Sequence, residues 1–183
     1  MTSDLGGALR YNAIARTLHW VIAILIIANV AIGLLGDAIE EAVGSSPFPL
    51  HKSIGLTVLV LSLLRLGWRI ANPPPPLPAH TGRNERRLAA IMHGVLYALM
   101  ILVPFTGYAM SSAGKYPLSW FGLVTVPKLP IERESALADL MHEGHEVLGI
   151  AIAILAAGHI VAALRHGFLL RDGVLQRMTG GRG

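Results

Sequence analysis

The stretch MHEGHEVLGIAIAILAAGHIVAALRHG, residues 141–167, places four histidines in a segment otherwise rich in Ala, Ile, Leu, Val and Gly. Its apolar part is long enough to cross the hydrocarbon core of a membrane, which takes about 20 apolar residues in a helix. An ionisable side chain is costly inside a membrane, so a histidine there indicates a functional site. The stretch therefore predicts a membrane helix, and the positions of its histidines on that helix decide which of them are functional.

The whole chain has the composition of a membrane protein, since 53% of its 183 residues are hydrophobic and only 14% are charged. Four segments are apolar enough to span a membrane: residues 17–36, 50–70, 88–110 and 143–170. The first is interpreted as a retained helix, because no small-residue cleavage site of a secretory signal follows it. Lipid offers the backbone no hydrogen bonds, and no alternating strand pattern is present. We therefore predict an all-α integral membrane four-helix bundle, a single domain over residues 1–183.

The positions of the basic residues predict the orientation of the bundle. Of 15 Lys and Arg residues, eleven lie on one side of the membrane: before the first span, around the proline-rich connection between the second and third spans, or at the end of the last span and beyond it. The other four lie on the opposite side. Basic flanks remain in the cytoplasm, so both termini are expected there. The positive net charge is thus explained by membrane topology, and we expect no nucleic-acid binding.

Histidine is the residue type available for metal chemistry, because a chain without cysteine has no thiolate ligands and no attachment point for c-type haem. His145 and His159 are 14 residues apart, which places them on one helical face about 21 Å apart along the axis. One metal ion cannot bind both, since imidazole–metal bonds are about 2 Å long. Because successive helices alternate in direction, His51 lies level with His145, and His19 lies level with His159. Two stacked pairs of this kind are typical of axial ligands to low-spin b-type haem.

His93 on the third span competes with His19, because its depth matches that of His159 equally well. The residue at i+4 covers the same helical face, and it is small after each paired histidine, which leaves room for a porphyrin. These small residues are Ala23, Gly55, Gly149 and Ala163. After His93 the same position holds the bulky Tyr97. His142 and His166 are interpreted as interfacial, and His80 as a solvated loop residue.

Four motifs in these segments resemble the bacterial cytochrome b561 family of the four-helix dihaem type. They are RTLHW (16–20), LHKSIG (50–55), MHGVLY (92–97) and HEVLGIAIAILAAGH (145–159), and the resemblance extends over about residues 10–175. It implies that His19, His51, His145 and His159 bind two non-covalent b haems, which decides against His93. His142, three residues before His145, departs from the family pattern and is a second candidate at that site.

The resemblance also implies a function, namely electron exchange with membrane quinone in the bacterial inner membrane. Some members are similar to superoxide:ubiquinone oxidoreductases, so superoxide outside and ubiquinone in the bilayer are expected partners. Related four-helix cytochromes are instead haem subunits of hydrogenases or formate dehydrogenases, which is the alternative hypothesis. The chain is accordingly interpreted either as an enzyme of the first kind or as an electron carrier, and a homodimer is compatible with both.

Basic residues near the predicted sites are candidates for anion binding. Arg16 on the inside, and Lys52 or Lys115 on the outside, are positioned to pair with haem propionates. Lys115, Lys128 and Arg133 would attract superoxide, although five nearby acidic residues oppose that field. A metal-ion transporter is disfavoured, because transport pathways use membrane carboxylates, and the apolar cores of the four spans (residues 17–35, 50–70, 88–110 and 147–170) contain no Asp or Glu.

Overall fold

Four long helices form the protein. A computed structural model describes residues 10–76 and 81–180, and these residues contain α1 (Ala13–Val43), α2 (Phe48–Ala71), α3 (Arg83–Ala113) and α4 (Ala136–Leu164). A π-helical segment, Arg165–Leu170, continues α4, and a short α5 follows at Gln176–Thr179. All four long helices have the length and apolar character needed to cross a membrane. The predicted four-helix membrane architecture is thereby confirmed.

Helices α1 and α4 begin before the apolar segments that predicted them, because capping residues define their starts. The side chain of Asn12 accepts a hydrogen bond from Ala15 N at 2.8 Å and starts α1 ahead of its apolar core. Gly44, with φ 73°, ends α1 in the left-handed conformation. At α4, Ser135 accepts from Ala138 N and adds about two turns before the predicted start.

The helices pack in sequence order, and this order determines where space remains inside the bundle. Extensive contacts join α1 to α2, α2 to α3 and α3 to α4, whereas α1 touches α4 only sparingly. Ile22, Leu99, Met100 and Ile152 form the buried core at mid-bundle. Most other large apolar side chains are exposed, as expected for helices whose outer faces contact lipid. The wider intervals therefore lie between α1 and α4 and across the diagonal from α2 to α4.

A short hairpin covers the end of the bundle where α2 begins, which we call the hairpin end. Its strands, β1 (Leu118–Trp120) and β2 (Val124–Val126), pair antiparallel. The side chain of Ser53 accepts from Phe121 N at 2.9 Å, and Trp120 Nε1 donates to Thr57 Oγ1 at 3.0 Å. This hairpin is not predictable from the sequence, because three-residue strands are too short to show an alternating pattern.

The opposite end, called the terminal end, is tied together by the C-terminal segment 171–180. Trp20 Nε1 donates to the carbonyl oxygen of Met178 at 3.0 Å. The guanidinium of Arg177, which is only 8% exposed, donates to the carbonyl oxygen of Pro76. The segment thus joins the end of α4 to α1 and to the proline-rich connection between α2 and α3.

Asp172 anchors the start of this segment through a hydrogen bond with His166, the last histidine of the opening stretch. Burial alone would raise the pKa of Asp172, but hydrogen bonds from His166 and from Val174 N outweigh burial and lower it. The carboxylate consequently stabilises the fold above the ordinary carboxyl pKa, and this contribution is lost as the pH falls through the lowered value. His166, which was expected to lie at the membrane interface, therefore also has a structural role as the hydrogen-bond partner of Asp172.

Candidate functional site

Two of the predicted histidines meet at the hairpin end, His51 from α2 and His145 from α4. Their ring centroids are 6.0 Å apart and their ring planes are nearly perpendicular, at 87°. Two imidazoles on opposite sides of one metal ion would have centroids about 6 Å apart, because each metal–nitrogen bond is about 2 Å long. Helices α2 and α4 are diagonal in the bundle, so the pair faces an interval rather than a tight helix contact.

Backbone carbonyl groups orient both of these rings. His51 Nδ1 lies 3.1 Å from the carbonyl oxygen of Asn29, and His145 Nδ1 lies 2.9 Å from that of Val103. A carbonyl oxygen only accepts, so each Nδ1 carries the proton and donates. Each Nε2 is then left with its lone pair for a metal, which is the usual arrangement of a ligating histidine and its outer partner.

Three histidines meet at the terminal end, where the sequence pairs His159 with His19. The His159 ring centroid is 6.4 Å from that of His19 on α1 and 5.5 Å from that of His93 on α3. The buried Nδ1 of His19 has no hydrogen-bond partner among the described residues. A buried nitrogen without a partner indicates that a bound group is missing, and His19 faces His159 across the sparing contact between α1 and α4, so this geometry favours His19.

The remaining predicted side chains lie around these two groups. His142 is exposed at the hairpin end and lies 3.9 Å from Glu146, and His80 falls outside the described residues. Arg16 is half-buried at the terminal end with its guanidinium against Gly180. Lys52 and Lys115 are exposed at the hairpin end.

The arrangement of paired histidines in a four-helix membrane bundle agrees with a comparison of the whole chain. The model of the prokaryotic cytochrome b561 family matches residues 10–181. The chain belongs to this family. It is accordingly a multi-pass bacterial membrane protein and a b-type cytochrome, which carries electrons and has haem b as its cofactor.

Relatives of similar length share about a third of their residues with this family member. Cytochrome b561 homolog 2 of Escherichia coli (strain K12) is 34% identical over 175 residues, which cover 93% of this chain and 92% of the relative. Cytochrome b562 of Cereibacter sphaeroides is 31% identical over 184 residues, with coverage of 97% and 98%. A probable superoxide oxidase of Yersinia pestis is 29% identical over 174 residues, with coverage of 92% and 95%.

The residues of this b561-family chain fit haem b, and two glycines of neighbouring helices contribute to the fit. A Cβ atom at Gly33 of α1 would lie 3.0 Å from His51 Cε1, and one at Gly107 of α3 would lie 2.8 Å from His145 Cε1. Each imidazole therefore packs closely against a glycine, and a larger residue at either position would require the ring to shift. Together with the ring separation and the Nδ1 hydrogen bonds, these glycines fix both imidazole rings in positions suited to bind a metal ion between them.

Gly55 and Gly149, the glycines predicted from the sequence to make room for a porphyrin, lie on the helices that carry the histidines. A Cβ atom at Gly55 would lie 3.6 Å from Asn29 Nδ2, and one at Gly149 would meet no atom within 4 Å. The space beside Gly149 is open, as a flat cofactor next to His145 would require. Gly33 and Gly107 were missed, although a glycine on a neighbouring helix at the depth of a histidine was the available signal.

Gly107→Ala tests the close packing of the His145 ring. The added methyl group is expected to push the imidazole away from its position and to lower haem occupancy at the hairpin end about 10-fold, since a displacement costs on the order of 1–3 kcal/mol. The measurement is haem content per chain after purification. Gly94→Ala, on the same helix but with nothing within 4 Å of its Cβ, is the matched control and should bind haem normally. Equal haem content in both variants would contradict the packing argument.

Proposed function

We propose that this chain binds two b haems, one between His51 and His145 and one between His19 and His159, and that it transfers electrons across the membrane. The observation that carries this proposal is the presence of histidine pairs at both ends of the bundle, sharing α4. Their ligands on α4 are about 21 Å apart along the helix. A haem held by each histidine pair would supply an iron that accepts or donates one electron, and the two histidines would leave oxygen no place to bind.

The interior between the two pairs keeps water away from the path. Ile152, seven residues from both His145 and His159 on α4, is 4% exposed and packs with Ile22, Leu99 and Met100. These packed apolar side chains offer no hydrogen-bonding groups to ions or protons at mid-bundle. Such an interior supports electron transfer over ion transport.

The remaining residues have supporting roles in this proposal. Gly55 and Gly149 allow a porphyrin to lie beside the ligand helices, while Arg16 at the terminal end and Lys52 or Lys115 at the hairpin end pair with propionates. Because basic flanks remain inside, the terminal end faces the cytoplasm and the hairpin end faces the periplasm. Membrane ubiquinone is the electron partner within the bilayer.

Superoxide is the proposed donor at the hairpin end. The name of the Yersinia pestis relative, a probable superoxide oxidase, supports this assignment. Lys115, Lys128 and Arg133 are exposed on that side and would attract a small anion. The chain would then act alone as a superoxide:ubiquinone oxidoreductase, in contrast to a haem subunit that relays electrons within a larger respiratory complex.

The decisive experiment gives the purified holoprotein superoxide and a soluble ubiquinone, with no other protein subunit present. We expect ubiquinol to form at a rate that depends on superoxide and on the amount of the protein. Lys115→Gln together with Lys128→Gln should lower the rate severalfold, with a weaker dependence on ionic strength than the unaltered chain. A protein with intact haem that forms no ubiquinol would contradict the superoxide proposal and favour the relay.

A further inference from the structure

Two arginines of α2 share one aromatic ring at the terminal end. Arg65 and Arg69 are four residues apart on the same helical face, and their Cζ atoms lie 5.2 and 5.4 Å from the ring centroid of Tyr97. A cation over an aromatic ring gains about 0.5–2 kcal/mol. Two like charges on neighbouring turns repel each other, so the ring alone does not account for their placement.

Neither guanidinium has an anionic partner in the ranges that the structure describes. Two carboxylates of the terminal end are already engaged, since Glu85 caps Gly82 N and Asp172 bonds to His166. Both arginines are half-buried rather than extended into solvent. Two partly buried cations without a counter-ion are unfavourable, so their arrangement indicates an anionic ligand.

The surroundings of the pair indicate which anion it binds. Arg65 is close enough to act electrostatically on His19 and His159, the proposed haem ligands. A cavity beside the two arginines is lined also by Tyr11, Trp68 and Met178, and it holds about one water molecule. This space accommodates carboxylate oxygens but not a free nucleotide or a lipid headgroup. A carboxylate that belongs to a group bound at the histidines would fit both the small size of the cavity and its closeness to the histidines.

We propose that Arg65 and Arg69 join Arg16 in binding the propionate carboxylates of the haem at the terminal end and that they raise the reduction potential of that haem. This inference rests on the proposed function, because it requires haem between His159 and its partner. A planar guanidinium binds a carboxylate through two parallel hydrogen bonds, and stacking on Tyr97 holds both forks in place beforehand. The two positive charges favour the reduced iron, which carries one positive charge less than the oxidised iron.

The test is a spectroelectrochemical titration of the holoprotein carrying Arg65→Gln, Arg69→Gln or both. We expect both haems to remain bound and one midpoint potential to fall. For the double variant, reduction should become about tenfold less favourable, equivalent to about 59 mV for one electron. Arg65→Lys keeps the positive charge but loses the paired N–H donors of the guanidinium, so it should shift the potential by less than Arg65→Gln. It replaces the Gln variant if that variant does not fold. Arg87→Gln, an exposed arginine of α3, is the matched control and should leave both potentials unchanged.

Three outcomes would overturn the inference, and they are distinguishable. Unchanged potentials in a double variant that retains both haems would show that the arginines do not bind propionates. Unchanged potentials with weakened binding to vesicles containing anionic lipid would assign the arginines to lipid phosphate instead. An unaltered chain without haem at the terminal end would refute the proposed function, and this inference with it.

Discussion

Replacing His145 by Ala is expected to remove one of the two proposed haems and to leave the other with its spectrum intact. His145 is the proposed α4 ligand at the hairpin end, and its ring is positioned by the Val103 carbonyl and by Gly107. Without the imidazole, the protein loses one of its two bonds to the haem iron. A non-covalent haem has no other bond that would hold it in the protein. Haem content per chain should fall to about half, and the reduced-minus-oxidised absorption of the remaining haem should be that of a low-spin b type. His51→Ala should give the same result, because it removes the opposite ligand.

His142→Ala is the matched control for this experiment, since it removes a histidine only three residues away. His142 is exposed and lies near Glu146, so its removal should leave both haems bound. Loss of a haem upon His142→Ala with retention upon His145→Ala would exchange the roles of these two residues. Loss of both haems upon His145→Ala would show that the two sites depend on each other, in disagreement with their separation along α4.

The level of each histidine in the membrane was predictable, because depth follows from the sequence alone. An apolar span of known direction assigns each residue a height, and helical periodicity assigns it a face. On these grounds alone His51 was paired with His145, and the two rings are indeed in contact. At the terminal end the same reasoning left His19 and His93 as alternatives, and both rings do contact His159.

The contacts between neighbouring helices were not predictable, because they depend on the lateral arrangement of the bundle. Gly33 and Gly107 contact histidines of other helices, and no spacing within one helix indicates such a neighbour. The stacking of Arg65 and Arg69 on Tyr97 likewise joins α2 to α3. From the sequence, Tyr97 was only a bulky residue one turn after His93. Its contact with two arginines is visible only in the packed helices.

The two candidate ligands at the terminal end are expected to respond differently to substitution. His19→Ala should abolish haem binding at that end, whereas His93→Ala should retain both haems and shift only the potential or the spectrum of one. His19 has an orphaned buried nitrogen and faces His159 across the sparing contact between α1 and α4. His93 faces His159 across the extensive contact between α3 and α4, where a porphyrin has less lateral room. Haem content and reduced-minus-oxidised spectra of both variants check this prediction.

Addition of imidazole distinguishes a lost ligand from a lost fold at this end. If His19 binds the iron, free imidazole in the reconstitution mixture should occupy the space left by His19→Ala and restore a low-spin haem there. A globally misfolded variant would not recover in this way. The opposite result, with haem lost upon His93→Ala and recovered by imidazole, would assign the ligand to α3 and place the porphyrin between α3 and α4.

Tyr97→Ala separates the same two assignments. Because Tyr97 lies one turn from His93, a porphyrin bound at His93 would displace the Tyr97 ring on which Arg65 and Arg69 stack, so Tyr97→Ala would then change haem binding. With His19 as the ligand, Tyr97→Ala should lower the potential and leave haem content unchanged.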